Sequence, residues 1–117
     1  MKNVKTRNKH NLKENEREAL QELKGKLLQK FPDAEMILYG SKARGDDEEF
    51  SDIDILILLR CDVNTTLEEE IIGLAYDIEL QYDVVFGLLV ESKSFWDSEL
   101  SHAMPIHWNI EREGIPI

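Results

Sequence analysis

The chain carries one cysteine, Cys61, which excludes an internal disulfide and makes a cytoplasmic setting the simplest expectation. Cys61 itself is expected to serve as a small hydrophobe at a strand end. No apolar run approaches the about 20 residues that a membrane-spanning helix needs. The opening MKNVKTRNKHNLK has basic residues but no hydrophobic segment behind them, so secretion and membrane insertion are both disfavoured. Positive charge is scarce as well: 14 Lys and Arg stand against 24 Asp and Glu, for a net charge of −10. Lys2, Lys5, Arg7, Lys9 and Lys13 all fall in the first 13 residues, where there is no acid. The remaining chain is therefore more acidic than the total indicates and repels phosphate backbones, which disfavours broad nucleic-acid binding. Residues 1–13 are expected to form a flexible, solubilising arm, with contact to an acidic partner as the alternative. Internal repeats and low-complexity linkers are absent.

What is present suits one folded domain spanning 14–117. A chain of 117 residues buries about two-thirds of the surface it exposes when unfolded. Its 42% hydrophobic and 32% charged residues exclude disorder of the whole chain. Leu20, Leu23, Leu27 and Phe31 recur at helical spacing over residues 13–31, and Pro32 stops the helix. AEMILYG is expected to be a short strand, and DIDILILLR a strand whose far end is buried on both faces and central in a sheet. A capping box of Thr65 with Glu68, or Thr66 with Glu69, opens a second helix carrying Ile71, Leu74, Ala75 and Ile78. YDVVFGLLV is expected to be the third strand. SKSFWDSEL then gives a short helix, and Pro105 begins a last one that Gly114 closes. The expected fold class is a small α/β or α+β domain of three or more strands flanked by helices.

The chemistry concentrates in YGSKARGDDEEFSDID, residues 39–54. Asp52 and Asp54 lie two apart at the mouth of an apolar strand, so both project from one face with Cβ atoms roughly 6 to 7 Å apart. Two carboxylates so placed repel each other where water is scarce, which raises a pKa or demands a cation. Asp83, expected in the third strand, could join them; a solvent-facing acid at the strand edge is the alternative. Aspartate oxygens suit Mg²⁺, which takes one or two carboxylates together with substrate phosphates. Gly40 and Ser41 supply a close backbone approach and donors for phosphate, and Lys42 and Arg44 could neutralise its charge. Gly-Ser at a strand end is by itself an ordinary turn; the combination with the paired aspartates describes a metal–triphosphate site.

GSKARG, SDIDILILL and YDVV together resemble the nucleotidyltransferase superfamily of DNA polymerase β. The short GSxARG form is similar to the minimal nucleotidyltransferases of bacteria and archaea. The likeness covers residues 35–117, including IHWNIEREG, which looks like that family's closing helix. It implies the nucleotidyltransferase fold, with Gly40 and Ser41 holding the triphosphate of ATP or another nucleotide. It also implies that Asp52 and Asp54 ligate two Mg²⁺ ions, while Asp83 completes one metal site and acts as base toward an acceptor hydroxyl. Arg44 would orient the loop or touch phosphate. Two metals clamp an in-line displacement at the α-phosphorus, where positioning and charge stabilisation do nearly all the work.

The implied activity is transfer of AMP from ATP to a hydroxyl of a protein, in the manner of an antitoxin that adenylylates a small helical HEPN-type ribonuclease toxin. So short a domain must borrow its acceptor specificity from such a partner. The rival readings are a non-catalytic module that neutralises a partner by contact, and a transferase for a cationic small molecule such as an aminoglycoside. Asp46, Asp47, Glu48 and Glu49 make the intervening loop unusually acidic for the family. They are expected to face outward, toward a basic partner or toward solvent. His102 and His107 are expected on the surface or in packing, and Trp96 and Trp108 in the core. Glu91 and Glu68 to Glu70 are read as solvated strand or helix ends.

Overall fold

A computed structural model describes residues 12–46 and 51–117. Helix α1 (Glu14–Lys30) buries Ala19, Leu20, Leu23 and Leu27 on one stripe, and stops where the Phe31 N–H bonds back to the Leu27 carbonyl before Pro32. Strand β1 (Glu35–Tyr39) follows, then the single-turn helix α2 (Ser41–Arg44). Strand β2 (Ile53–Leu59) leads into helix α3 (Thr65–Tyr82) and strand β3 (Phe86–Ser92). Three short helices, α4 (Lys93–Trp96), α5 (Glu99–His102) and α6 (Pro105–Glu113), precede the two-residue strand β4 (Ile115–Pro116). Sequence periodicity gives no sign of β4, which is held to β1 by pairing across Leu38 and Ile115.

The strands form one mixed sheet in the order β3-β2-β1-β4, with β2 antiparallel to β1 and parallel to β3. The central position expected for DIDILILL is thus the observed one. Alternation along the strands divides the core. Ile53, Ile55, Ile57 and Leu59 of β2, with Met36 and Leu38 of β1, pack toward the large cluster that includes the buried stripes of α1 and α3. Leu56 and Leu58, with Ile37 and Tyr39, pack with Trp96 and Ile110 on the opposite face. Three layers result, and Asp54 shares the face of Leu56 and Leu58 because strand side chains repeat every second residue.

Some expectations change. Helix α3 is capped by Asn64, whose side chain accepts the Leu67 N–H at 2.8 Å, rather than by Thr65 or Thr66; asparagine is among the best N-caps. The third strand begins at Phe86, not at Tyr82. Residues 82–85 look like a strand because Val84 and Val85 are β-branched, but Asp83 ends α3 in the left-handed conformation (φ 58°, ψ 51°). The Val84 N–H still bonds back to the Glu79 carbonyl. Cys61 is exposed rather than packed. Trp96 is in the core as expected, whereas Trp108 is 61% exposed. Leu12, near the end of the expected arm, is buried, and residues 1–11 lie outside the described residues. Among the described residues no helix is long and apolar enough to cross a membrane.

Candidate active site

The site forms where β1 ends and β2 begins. Antiparallel pairing sets Tyr39 opposite Asp54, and parallel pairing sets Gly87 of β3 on the other side of Asp54. Gly40, directly after Tyr39, adopts φ 78° and ψ −158°, a region that essentially only glycine enters. A Cβ added to Gly40 would collide with Oδ2 of Asp54, and one added to Gly87 would lie 2.6 Å from its Oδ1. Both oxygens of Asp54 therefore abut glycine backbone, where an added side chain would displace the carboxylate. Gly87 is a site residue that motif reading misses. Glycine within an apolar strand is a recognised sign of close approach, but only strand register shows what approaches.

Asp52 is exposed and Asp54 half-buried. The Asp54 pKa lies above its usual value, first because of burial and then because of the Asp52 charge, with Glu113 adding and Arg44 opposing. Tyr39 is also raised, by burial and then by Asp54 and Glu113. Crowded, partly desolvated carboxylates of this kind are stabilised by a cation. The donor set is all oxygen, and the side-chain-free walls at Gly40 and Gly87 keep the Asp54 oxygens uncovered. Asp52 and Asp54 thus fit Mg²⁺.

Glu113, at the end of α6, is the carboxylate that the sequence argument overlooks. Its Oε2 accepts the Gly40 N–H at 2.9 Å, and both its oxygens lie 3.2 Å from Nη1 of Arg44. The signal available was the acid immediately before the glycine that closes IEREG. At Gly114 a Cβ would lie 2.5 Å from the Ile110 carbonyl and 2.7 Å from Ile37 Cγ2, so the chain turns tightly there and delivers Glu113 to the end of β1.

The other expected residues divide. Ser41 opens α2, and its carbonyl accepts the Gly45 N–H at 2.8 Å, closing the tight turn after the glycine. Arg44 reaches the site, where it joins Asp46 and Glu113. Lys42 does not face a phosphate position. It is 1% exposed, and its Nζ lies 2.8 Å from Oε2 of Glu16, which is itself nearly buried. Glu16 Oε1 accepts the Lys13 N–H at 2.8 Å, so this carboxylate both caps α1 and anchors α2. The expectation for Lys42 fails because a four-residue helix packed on the domain turns successive side chains in different directions, and this one points inward. Asp83 is exposed at the end of α3 and lines a pocket with Ser51, Asn15 and Glu16. The charges acting on Asp54 are those of Asp52, Arg44 and Glu113. Asp83 is not among them, and the strand expected to carry it starts three residues later. Of the acidic loop, Asp46 pairs with Arg44, and Asp47, Glu48 and Glu49 lie outside the described residues.

Residues 20–106 match the family model described as a nucleotidyltransferase domain. Two proteins of Methanocaldococcus jannaschii, each named as a putative protein adenylyltransferase, are similar to the chain. One is 35% identical over 102 residues, covering 86% of this chain and 95% of that protein. The other is 37% identical over 59 residues, covering 50% of this chain and 60% of that protein.

Proposed function

Because the chain belongs to the nucleotidyltransferase domain family, we propose that it moves AMP from ATP, with Mg²⁺, onto a hydroxyl of a protein acceptor. The observation that carries this reading is the Asp54 carboxylate held between Gly40 and Gly87 beside Asp52. Asp52 and Asp54 would hold Mg²⁺, which when bound supplies positive charge to the attacking and departing oxygens at the α-phosphorus. The backbone at Gly40 and Ser41 receives the triphosphate, since the glycine leaves room for close approach. Arg44 exchanges its partner Glu113 for phosphate oxygens, which its planar fork matches well. Held in this way, the α-phosphorus is presented in line to the acceptor hydroxyl, and pyrophosphate departs.

The names of the two archaeal relatives support AMP as the group transferred and a protein as its acceptor. So does the surface. Ile72, Tyr76 and Leu80 recur every four residues along α3, at 49%, 56% and 66% exposure. An apolar helical stripe of that kind suits a helical partner, in keeping with a HEPN-type toxin as acceptor and an antitoxin role for this chain.

The test is incubation of the protein with α-labelled ATP, Mg²⁺ and a helical HEPN-type protein as candidate acceptor. Asp52→Asn and Asp54→Asn serve as controls. Label on the partner, lost in both variants, is expected. An unlabelled partner that binds both variants as tightly as the wild type would instead make the chain a contact-only module.

A further inference from the structure

Helices α5 and α6 bring together three groups that the nucleotide site does not use. His107 is 1% exposed, and its ring is held on two sides. Trp96 stacks on it with centroids 4.0 Å apart at 18°, and His102 lies across it with centroids 4.2 Å apart. The Nδ1 of His107 is 2.8 Å from the Ser101 hydroxyl, and the Nδ1 of His102 is 2.7 Å from the Ser98 carbonyl. Bonding of one ring nitrogen to the protein leaves the other as the exchangeable one, the arrangement common to metal-binding histidines.

The Nε2 of His107 is buried and makes no hydrogen bond, although Oε2 of Glu111, one turn further along α6, is 3.1 Å away. If Nδ1 carries the proton, a nitrogen lone pair and a carboxylate oxygen face each other as two acceptors. That contact is favourable only with a cation between or beside them. Donor atoms of His102, His107 and Glu111 lie within 4.8 Å of one another.

We propose that His102, His107 and Glu111 bind one transition-metal dication of the zinc type, with the fourth position open to water. Two imidazoles and one carboxylate are a recognised zinc ligand set, and imidazole nitrogen selects such ions over Mg²⁺. Ligand atoms in a tetrahedral zinc site stand roughly 3.3 Å apart, given bonds of about 2.0–2.1 Å. His102 and Glu111 are exposed and free to close the difference, while the packed His107 ring stays fixed. The ion ties α5 to α6, the helix that also delivers Glu113 to Gly40. Sequence reading assigned the two histidines to surface or packing and passed over the i,i+4 spacing of His107 and Glu111. The turn between α5 and α6 supplies the third ligand.

The experiment titrates metal-free full-length protein with Zn²⁺ by calorimetry and with Co²⁺ by visible absorption. One ion per chain is expected, with tetrahedral Co²⁺ bands and a higher melting temperature. His102→Ala and Glu111→Gln alter exposed side chains and each should weaken binding at least tenfold. The Asp52→Asn/Asp54→Asn variant should bind Zn²⁺ as the wild type does, which keeps this site separate from the nucleotide site. Absence of stoichiometric binding, unchanged affinity in the His102 and Glu111 variants, or loss of binding in the aspartate variant would each overturn the assignment.

Discussion

Substituting alanine for Gly87 separates the fold from the chemistry. The added Cβ would lie 2.6 Å from Oδ1 of Asp54, where a carbon–oxygen contact normally needs about 3.3 Å. The oxygen must then retreat by about 0.7 Å, a turn of roughly 15 to 20° for so short a side chain, less than the ~30° that costs about 0.5–1.5 kcal/mol. Replacing glycine within a strand returns about 0.5–1 kcal/mol, so the melting temperature should stay within about 3 °C of the wild type. Catalysis has no such compensation, because a misplacement of about 1 Å costs on the order of 10²-fold in rate. The expected loss in kcat/KM for AMP transfer is about 30- to 100-fold, equivalent to about 2–3 kcal/mol of activation free energy. Label transfer from α-labelled ATP and calorimetric melting of the same samples give the two readouts. A Gly87→Ala protein that melts normally and transfers AMP within about threefold of the wild-type rate would refute the claim that Asp54 must occupy the slot between the glycines.

The contrasting substitution, Gly40→Ala, adds backbone strain of about 1–3 kcal/mol to the same collision, so it should lower both melting temperature and transfer. Lys42→Met leaves the buried Glu16 charge without its countercharge and should destabilise by about 3–5 kcal/mol; the further change Glu16→Leu should recover part of this in denaturant titrations, since it also removes the bond to the Lys13 N–H, and a fully stable single variant would contradict the buried pair. Asp54 has a folded pKa above its unfolded value, so the folded state keeps a proton that the unfolded chain has released, and stability falls as pH rises through that window. At pH 7 without Mg²⁺, Asp54→Asn should therefore melt above the wild type, with the gap shrinking as pH is lowered toward the usual carboxylate range, and in the presence of Mg²⁺ the same variant should lose transfer. Glu113→Gln removes a negative charge from the Gly40 N–H and from Arg44, and should tighten ATP binding several-fold in calorimetry at low salt, with weaker ATP binding as the contrary result.

Much of the fold was legible because its determinants are local. Leu20, Leu23 and Leu27 at helical spacing, and the unbroken apolar run after Asp54, each specify an element within a few residues of chain. The ends of elements were less legible. Val84 and Val85 have strand composition, but the left-handed turn at Asp83 and the Val84 bond to Glu79 hold Val84 to the end of α3, and the first contact with β2 is the Val85 carbonyl accepting the Ile53 N–H. A helix of four residues likewise carries no periodicity long enough to say whether Lys42 or Arg44 faces inward.

For the site, the sequence alone determined that Asp52 and Asp54 share a face and that a glycine-led turn precedes them, because a spacing of two on a strand is a geometric fact of the backbone. The tertiary structure decided the rest. Strand register placed Gly87 beside Asp54, the tight turn at Gly114 brought Glu113 to Gly40, and the packing of α2 against β1 and β2 turned Lys42 inward into a pair with Glu16 of α1. These contacts join residues 26 to 73 positions apart. Their selection depends on which surfaces bury together across the whole domain, and no short window of sequence contains that information.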